Sequence, residues 1–454
     1  MAISTFLGVE TALRGILAQQ RSIDVTGHNI ANASTPGYSR QVANLVTTQP
    51  MADAPAGLLG TGVDVQSYQR IRDSYIDVQL RAQTMLKGYA QAQQDGLSQV
   101  ELSLNEPSDT GLSSLLGKYW AAWQNVANAP EDVATRQALA QSAASLANGF
   151  NSLASQITTV QTQTTQEQSL TMDQVNSIGT QIASLTGSIK AAELAGQQPN
   201  DLLDKRDLLI DKLSALGNTS VSTTAGTAGT LGAIDVSFGG STLVSDTTAS
   251  TLTLPLASLT SGKLAGMQAV LTAITDPTSG YLTRLNTLAS TLASSTNTQH
   301  ALGTDLNGNP GGTFFTVTAG SEAATIAVNP ALLASPSKIA ASSNGQVGDA
   351  GNAIALSDLQ RSTLIGGATI DGAYSQLVTQ IGSDSQQSQQ SLDNATSLVD
   401  SLSNRRQSVS GVSLDEEMAN LLQFQRGYQA SARALTAMDD MINELISRTG
   451  RVGL

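Results

Sequence analysis

Cysteine is absent from this chain, and histidine occurs only twice, as His28 and His300. Disulfides, thiolate nucleophiles and zinc–thiolate sites are thereby excluded, and imidazole chemistry has little material. Aromatic residues make up 4% of the sequence and charged residues 13%, with a net charge of −13. A phosphate-binding surface needs clustered Lys and Arg, which this sequence lacks, so nucleic acid is not an expected partner. No apolar run is long enough to span a bilayer, and the N-terminus has neither a basic n-region nor a continuous apolar stretch. Neither membrane insertion nor a cleaved signal peptide is expected. What remains is 454 residues rich in Ser, Thr, Gln, Asn, Ala and Gly. Such a composition packs small aliphatics between helices and suits repeated subunit contacts better than one deep pocket.

The most regular pattern lies at the two ends. Near the C-terminus Leu421, Tyr428, Leu435 and Ile442 recur every seven residues, with Phe424, Ser431, Met438 and Leu445 between them. Ser413 and Glu416 have capping-box spacing, and Asp415, Glu416 and Glu417 place negative charge in the first turn, where the helix dipole favours it. Near the N-terminus Val9, Ile16, Ile23 and Ile30 recur in the same way, accompanied by Phe6, Leu13, Gln20 and Gly27. Two heptad helices at opposite ends of one chain predict a terminal coiled coil in which the two apolar seams meet. Ser431, Gln20 and Gly27 interrupt the seams and are expected to keep the pair marginal on its own.

Between the ends the reading is mainly α, an elongated nested helical architecture with a central bundle and small β inserts. Residues 1–34 and 412–454 form the terminal coiled coil, and 35–71 an extended docking arm that begins where Pro36 and Gly37 stop the first helix. Residues 72–217, 263–300 and 352–411 form the helical bundle, whose most aromatic face carries Tyr119, Trp120 and Trp123. A polar Gln/Thr tract separates a helix starting at Pro130 from another ending near Leu194. Residues 218–262 and 301–351 read as β inserts, from alternating pieces such as Ile234, Val236 and Phe238 and from the turn Asn307-Gly308-Asn309-Pro310-Gly311-Gly312.

None of the short motifs completes a chemical site. Asp305, Asn307 and Asn309 occupy calcium-loop spacing, but Pro310 stands where that loop needs glycine and Thr316 where it needs a bidentate glutamate, so a tight turn is the better reading. Gly60-Thr61-Gly62 and Gly117-Lys118 fail the dinucleotide and phosphate-loop patterns. Neither histidine has a neighbouring Cys, nor an Asp or Glu at helical ligand spacing that would complete a site. No catalytic, cofactor or metal residue is assigned.

The run Asn29-Ile30-Ala31-Asn32-Ala33-Ser34-Thr35-Pro36-Gly37-Tyr38-Ser39-Arg40-Gln41 resembles the signature that closes the first helix in axial proteins of the bacterial flagellum. Within it Asn29, Asn32, Pro36, Gly37 and Tyr38 carry the match. The stretch from Ser410 to Arg433, including Leu414-Asp415-Glu416-Glu417-Met418, resembles the C-terminal signature of the same group. Internal stretches narrow the resemblance to the hook-associated protein 1 family: Leu202-Leu203-Asp204-Lys205-Arg206-Asp207, Lys263-Leu264-Ala265-Gly266, and Asn297-Thr298-Gln299-His300 followed by Asp305 to Gly312.

The resemblance implies a structural subunit rather than an enzyme, at the junction of flagellar hook and filament. It implies type III export without signal cleavage, an extracellular destination, and a ring-like homo-oligomer seated on the hook protein below a second junction protein. It also implies an export chaperone on the C-terminal region. A rod or hook subunit of the same group is the alternative, and an extracellular hydrolase with helical ends is the remote one. The terminal helices would then be completed by neighbouring subunits.

Overall fold

The computed structural model describes residues 6–53, 57–224, 232–255 and 258–449 and is mainly α-helical. Helix α1 (Leu7–Ala31) is followed by strands β1 (Gln41–Thr47), β2 (Met51–Asp53), β3 (Gly57–Leu59) and β4 (Val63–Arg70). Helices α2 (Ser74–Leu104), α3 (Leu112–Asn128), α4 (Val133–Leu194) and α5 (Asn200–Leu216) come next, then strands β5 (Thr219–Thr223), β6 (Ile234–Phe238), β7 (Ser241–Ser245) and β8 (Thr248–Ala249). Helices α6 (Lys263–Thr275) and α7 (Tyr281–Ala301) precede a run of short pieces: β9 (Phe315–Thr316), α8 (Glu322–Thr325), β10 (Ala327–Val328), α9 (Pro330–Ala334) and α10 (Gly351–Asp358). The chain closes with α11 (Ile370–Ser410) and α12 (Leu414–Thr449).

Two compact units divide the chain. The first comprises Met1–Met85, Gln174–Leu259 and Thr396–Leu454, the second Leu86–Asp173 and Thr260–Ala395. This division corrects the single bundle expected from 72–217, 263–300 and 352–411, because helical periodicity marks a buried face without saying which partner covers it. A second correction concerns α4, which is one helix of 62 residues rather than two. Within the polar tract Thr158, Thr162, Thr164 and Thr165 each donate a hydroxyl to the carbonyl four residues back, at 2.8–2.9 Å, so their hydroxyls are satisfied without leaving the helix.

In the first unit, residues expected as an extended arm form an antiparallel ribbon. Strand β1 pairs with β4 from Gln41↔Arg70 to Thr47↔Val63, with a bulge between Asn44 and Leu45. The ribbon lies against α1. The sheet β5-β6-β7-β8 has the alternation read from Ile234, Val236 and Phe238, all buried. It is seated on helices rather than standing free. Any Cβ on Gly179 of α4 would lie 2.8 Å from Leu243, and one on Gly217 would lie 2.3 Å from the Phe238 ring. Glycine at both positions lets the sheet's apolar face reach the helix backbone.

The second unit is built around the aromatic face of α3. Tyr119, Trp120 and Trp123 are buried with Leu146 and Phe150 of α4, Leu285, Leu288 and Leu292 of α7, and Tyr374 of α11. Segment 301–351, expected as a β insert, contributes Phe314, Phe315, Ile326 and Ile339 to the same core. Its only regular strands among the described residues, β9 and β10, are two residues each. The Phe314 ring lies 5.4 Å from Trp123 and 5.4 Å from His300. Core packing and side-chain-to-backbone bonds, more than a strand ladder, hold this segment. Asn297 Oδ1 accepts from the amides of Phe314 and Phe315, each at 2.8 Å. Asp305 accepts from the amides of Asn307 and Asn309, each at 2.8 Å, which makes the expected turn.

His300 is buried and used on both ring nitrogens. Nε2 accepts from the Ala340 amide at 2.9 Å, so Nδ1 carries the proton and donates to the Gly312 carbonyl at 2.6 Å. Burial pushes this imidazole below its usual range, and the neighbouring Arg136 acts in the same direction. The unfolded chain therefore takes up the proton first, near pH 6.5, and native stability falls as pH drops below that value. The melting temperature is expected to fall between pH 7.5 and 5, and a His300→Gln chain, less stable at pH 7.5, should show a flatter profile across that window. An unchanged slope in the variant would assign the loss elsewhere.

Candidate assembly interface

Helices α1 and α12 pack against each other in the first unit, and the contacts fix an antiparallel register. A Cβ on Gly8 would lie 2.6 Å from Met438 Sδ, one on Gly15 would lie 2.9 Å from Ser431 Oγ, and one on Gly427 would lie 2.8 Å from Gln19 Cδ. Asn29 reaches Glu417 at 3.0 Å. The inward face of α1 is thus Gly8, Ala12, Gly15, Ala18, Ser22, Thr26 and Asn29, spaced three or four residues apart, most of them buried.

This overturns the expected pairing of two apolar seams. Val9, Ile16, Ile23 and Ile30 lie beside the inward face and are only half-buried, while Phe6 and Leu13 are exposed. On α12 the expected face is the one turned toward α1: Leu421, Phe424, Leu435, Met438 and Ile442 are half-buried, although Tyr428 and Leu445 are exposed. Ser431 stands at the close approach to Gly15, where a Cβ on the glycine would lie 2.9 Å from the serine hydroxyl. At the far end Phe6, Gly8, Met438, Met441, Ile442, Leu445 and Ile446 line an apolar groove of about 390 Å³.

The other end of the pair is polar and closed. Asn29 and Glu417 are each 1% exposed. Asn29 Nδ2 donates to the Gln41 carbonyl at 2.8 Å and to Glu417 Oε2, while its Oδ1 accepts from Tyr38 Oη at 2.8 Å and the Gln41 amide at 3.0 Å. Arg40 Nε donates to Glu417 Oε1 at 2.7 Å, and Arg40 Nη2 to Glu416 Oε1 at 2.8 Å. Burial alone would lower the Arg40 guanidinium, but its bonds to Glu417 and Glu416 outweigh that and hold it above its usual range. Burial, reinforced by Asp201, Asp204 and Glu417, pushes the Tyr38 hydroxyl well above the phenol range, so it stays a donor.

Asn32 ends α1, with its Nδ2 on the His28 carbonyl at 3.0 Å and its Oδ1 accepting from Thr35 at 3.1 Å. Pro36 and Gly37 turn the chain, and Gly37 has φ +80° with its backbone against Leu208. Asp204 of α5 then accepts from the Ser39 amide at 2.8 Å, the Ser39 hydroxyl at 2.9 Å and Arg70 Nη1 at 2.8 Å. The pairing continues through Arg72 to Asp207 at 2.5 Å, Arg81 to Asp211 at 2.6 Å, and Arg406 to Asp211 at 2.7 Å.

A chain with so few charged residues thus concentrates them where α1, the ribbon, α5, α11 and α12 converge. Arg40, Arg70, Arg72, Arg81 and Arg406 each have a carboxylate partner, and the arrangement joins elements without exposing a poised acid, base or nucleophile. Among the described residues no group of three or more His, Asp or Glu is placed to hold a metal ion, and no helix is long and apolar enough to cross a membrane.

Comparison with known proteins shows the family of the chain. A model of the flagellar hook-associated protein FlgK helical domain matches residues 97–315. Models of the flagella basal body rod protein and of the flagellar basal body rod FlgEFG protein C-terminal region match residues 10–38 and 404–448. Flagellar hook-associated protein 1 of Bacillus subtilis is 33% identical, with 98% of this chain and 99% of that protein aligned. This chain belongs to the flagellar hook-associated protein 1 family. The Escherichia coli relative of the same name is 28% identical over 97% of this chain and 99% of its own length. The hook junction protein FlgK from Burkholderia pseudomallei shares the fold, with a TM-score of 0.63, 20% identity, and coverage of 73% of this chain and 100% of that one. Family membership makes the chain a structural protein of the bacterial flagellum, belonging to the hook–filament junction.

The residues that sequence reasoning missed are Arg40, Gln41, Arg70, Arg72, Asp204, Asp207 and Glu417. Several lie inside the very stretches that carry the resemblance. Glu416 and Glu417 have the position of helix-start charge, yet both carboxylates go to Arg40, and the Ser413 hydroxyl meets the Glu416 amide only at 3.4 Å. A cluster of charges in a sequence with few of them was the available signal.

Proposed function

We propose that the terminal pair is the element by which this subunit enters the axial structure after type III export without signal cleavage. It assembles as a ring-like homo-oligomer outside the cell, on the hook protein and below the second junction protein, with an export chaperone on its C-terminal region beforehand. The role is architectural and not catalytic. One observation carries this reading: the pair is closed by small and polar residues, while Leu13, Leu17, Leu422, Met441 and Ile446 are turned to solvent. Apolar faces of that extent on two adjacent helices mark a surface completed by other chains.

Replacing both Leu13 and Leu17 with serine tests it. The free chain should change in stability by no more than about 0.5 kcal/mol per site, the range for exposed positions. Cells carrying the variant should build complete hooks and lack filaments. Normal filaments, or a free chain as damaged as by a core substitution, would overturn the reading. Cells without hooks would instead favour a rod or hook role.

A further inference from the structure

The two ends of the α1/α12 contact differ in what they can specify. From Gly8 to Gln19 the contact is made by glycine, alanine and flexible side chains against Met438, Ser431 and Gly427. A slip of one heptad would set Gly8 against Ser431 and Gly15 against Phe424, and since Gly8 already receives a side chain as long as Met438, such a surface does little to oppose it. Glu417 does not tolerate the slip. Its Oε1 needs Arg40 Nε and its Oε2 needs Asn29 Nδ2, and these donors occur together only in the observed register. Moving away strands a carboxylate that is 1% exposed, or leaves Asn29 and Arg40 short of an acceptor.

Both donors are held from outside the pair. The Asn29 amide is oriented by Tyr38 and by both backbone groups of Gln41. Segment 38–41 is pinned by Ser39 on Asp204, by the Gln41 side chain on Asp201 at 2.8 Å, and by the Arg40 amide on the Ser410 carbonyl at 3.0 Å. We infer that Glu417 sets the antiparallel register of the terminal helices, reading it from Asn29 and Arg40, which segment 38–41 seated on α5 holds in place. Helix α5 thereby positions a helix more than 200 residues further along the chain. The inference concerns the free chain and does not depend on what covers the outer apolar faces.

The chain has no cysteine, so register can be measured by cross-linking. Gly15 and Ser431 have Cβ positions 3.5 Å apart, within disulfide range, so a chain with Gly15→Cys and Ser431→Cys reports the observed register. A chain with Gly8→Cys and Ser431→Cys reports the slipped one. In the full-length protein the first pair should oxidise readily and the second poorly. Adding Glu417→Gln leaves one acceptor for two donors and should lower the first cross-link by about tenfold relative to the unaltered background, the factor expected for a lost charged hydrogen bond. Adding Glu416→Gln, at the exposed rim of the same arginine, should leave it unchanged. Fluorescence of Trp120 and Trp123 shows in each case that the second unit is folded. An undiminished first cross-link with Glu417→Gln would overturn the inference. So would an equal loss with Glu416→Gln, since the effect would then be helix-start charge rather than register.

Discussion

Replacing Asp204 with alanine is expected to destabilise the protein by about 3–5 kcal/mol, the cost of breaking a buried ion pair by removing one partner. Its carboxylate is 4% exposed and accepts from Arg70, the Ser39 amide and the Ser39 hydroxyl. Without it, Ser39, two residues before β1, has two unsatisfied donors, and Arg70 retains only Asp207 at 3.0 Å. Asp204→Asn preserves shape and one acceptor oxygen, and should cost about 1.5–3 kcal/mol, the worth of hydrogen bonds to a charged group. Urea unfolding followed by circular dichroism separates the two. A loss below about 1 kcal/mol for the alanine variant would place Asp204 among the weak surface pairs instead.

Trp123→Ala should be as damaging by a different route. The indole is fully buried, with Phe314 at 5.4 Å and Tyr119 at 6.4 Å between ring centroids. Its removal forfeits apolar burial and leaves a cavity that the surrounding helices only partly fill, at a cost of about 3–5 kcal/mol. Against a typical total of about 5–15 kcal/mol, that takes the second unit close to its stability limit. Trp120 remains as the fluorescent reporter, so the denaturation midpoint can be read directly. Leu102→Ala, at a position 79% exposed, is the control and should stay within about 0.5 kcal/mol. If the two variants unfolded together, Phe314 and its segment would not be held by the aromatic cluster.

Much of the helical content is legible in periodicity alone. The spacing in α5 and α12 places those elements to within a few residues, because a helix is the regular structure that brings apolar residues three or four positions apart onto one face. The proline and glycine at 36–37 mark the end of α1 for an equally local reason. Segment 301–351 departs from its local pattern for the opposite one. Its turn residues resemble those of a β insert, but Phe314 and Phe315 answer to Tyr119 and Trp123, nearly 200 residues earlier, and no local pattern announces that contact.

For this protein the sequence by itself determined the terminal helices, most of the other long helices and, through its signature stretches, the family, while the continuity of α4 and the short helices of 301–351 came only with the structure. Beside the apolar stripe of α1 expected to pair, through Val9, Ile16, Ile23 and Ile30, runs a small, polar one through Gly8, Gly15, Ser22 and Asn29 that the heptad pattern did not single out. Only the tertiary structure decided which stripe faces α12. Hydrophobicity favours the first, because an unpaired polar group is costly to bury. Asn29 and Glu417 escape that cost through each other and through Tyr38, Arg40 and Gln41. Those partners come from both ends of the chain, so the bonds that reverse the choice exist only once it has folded.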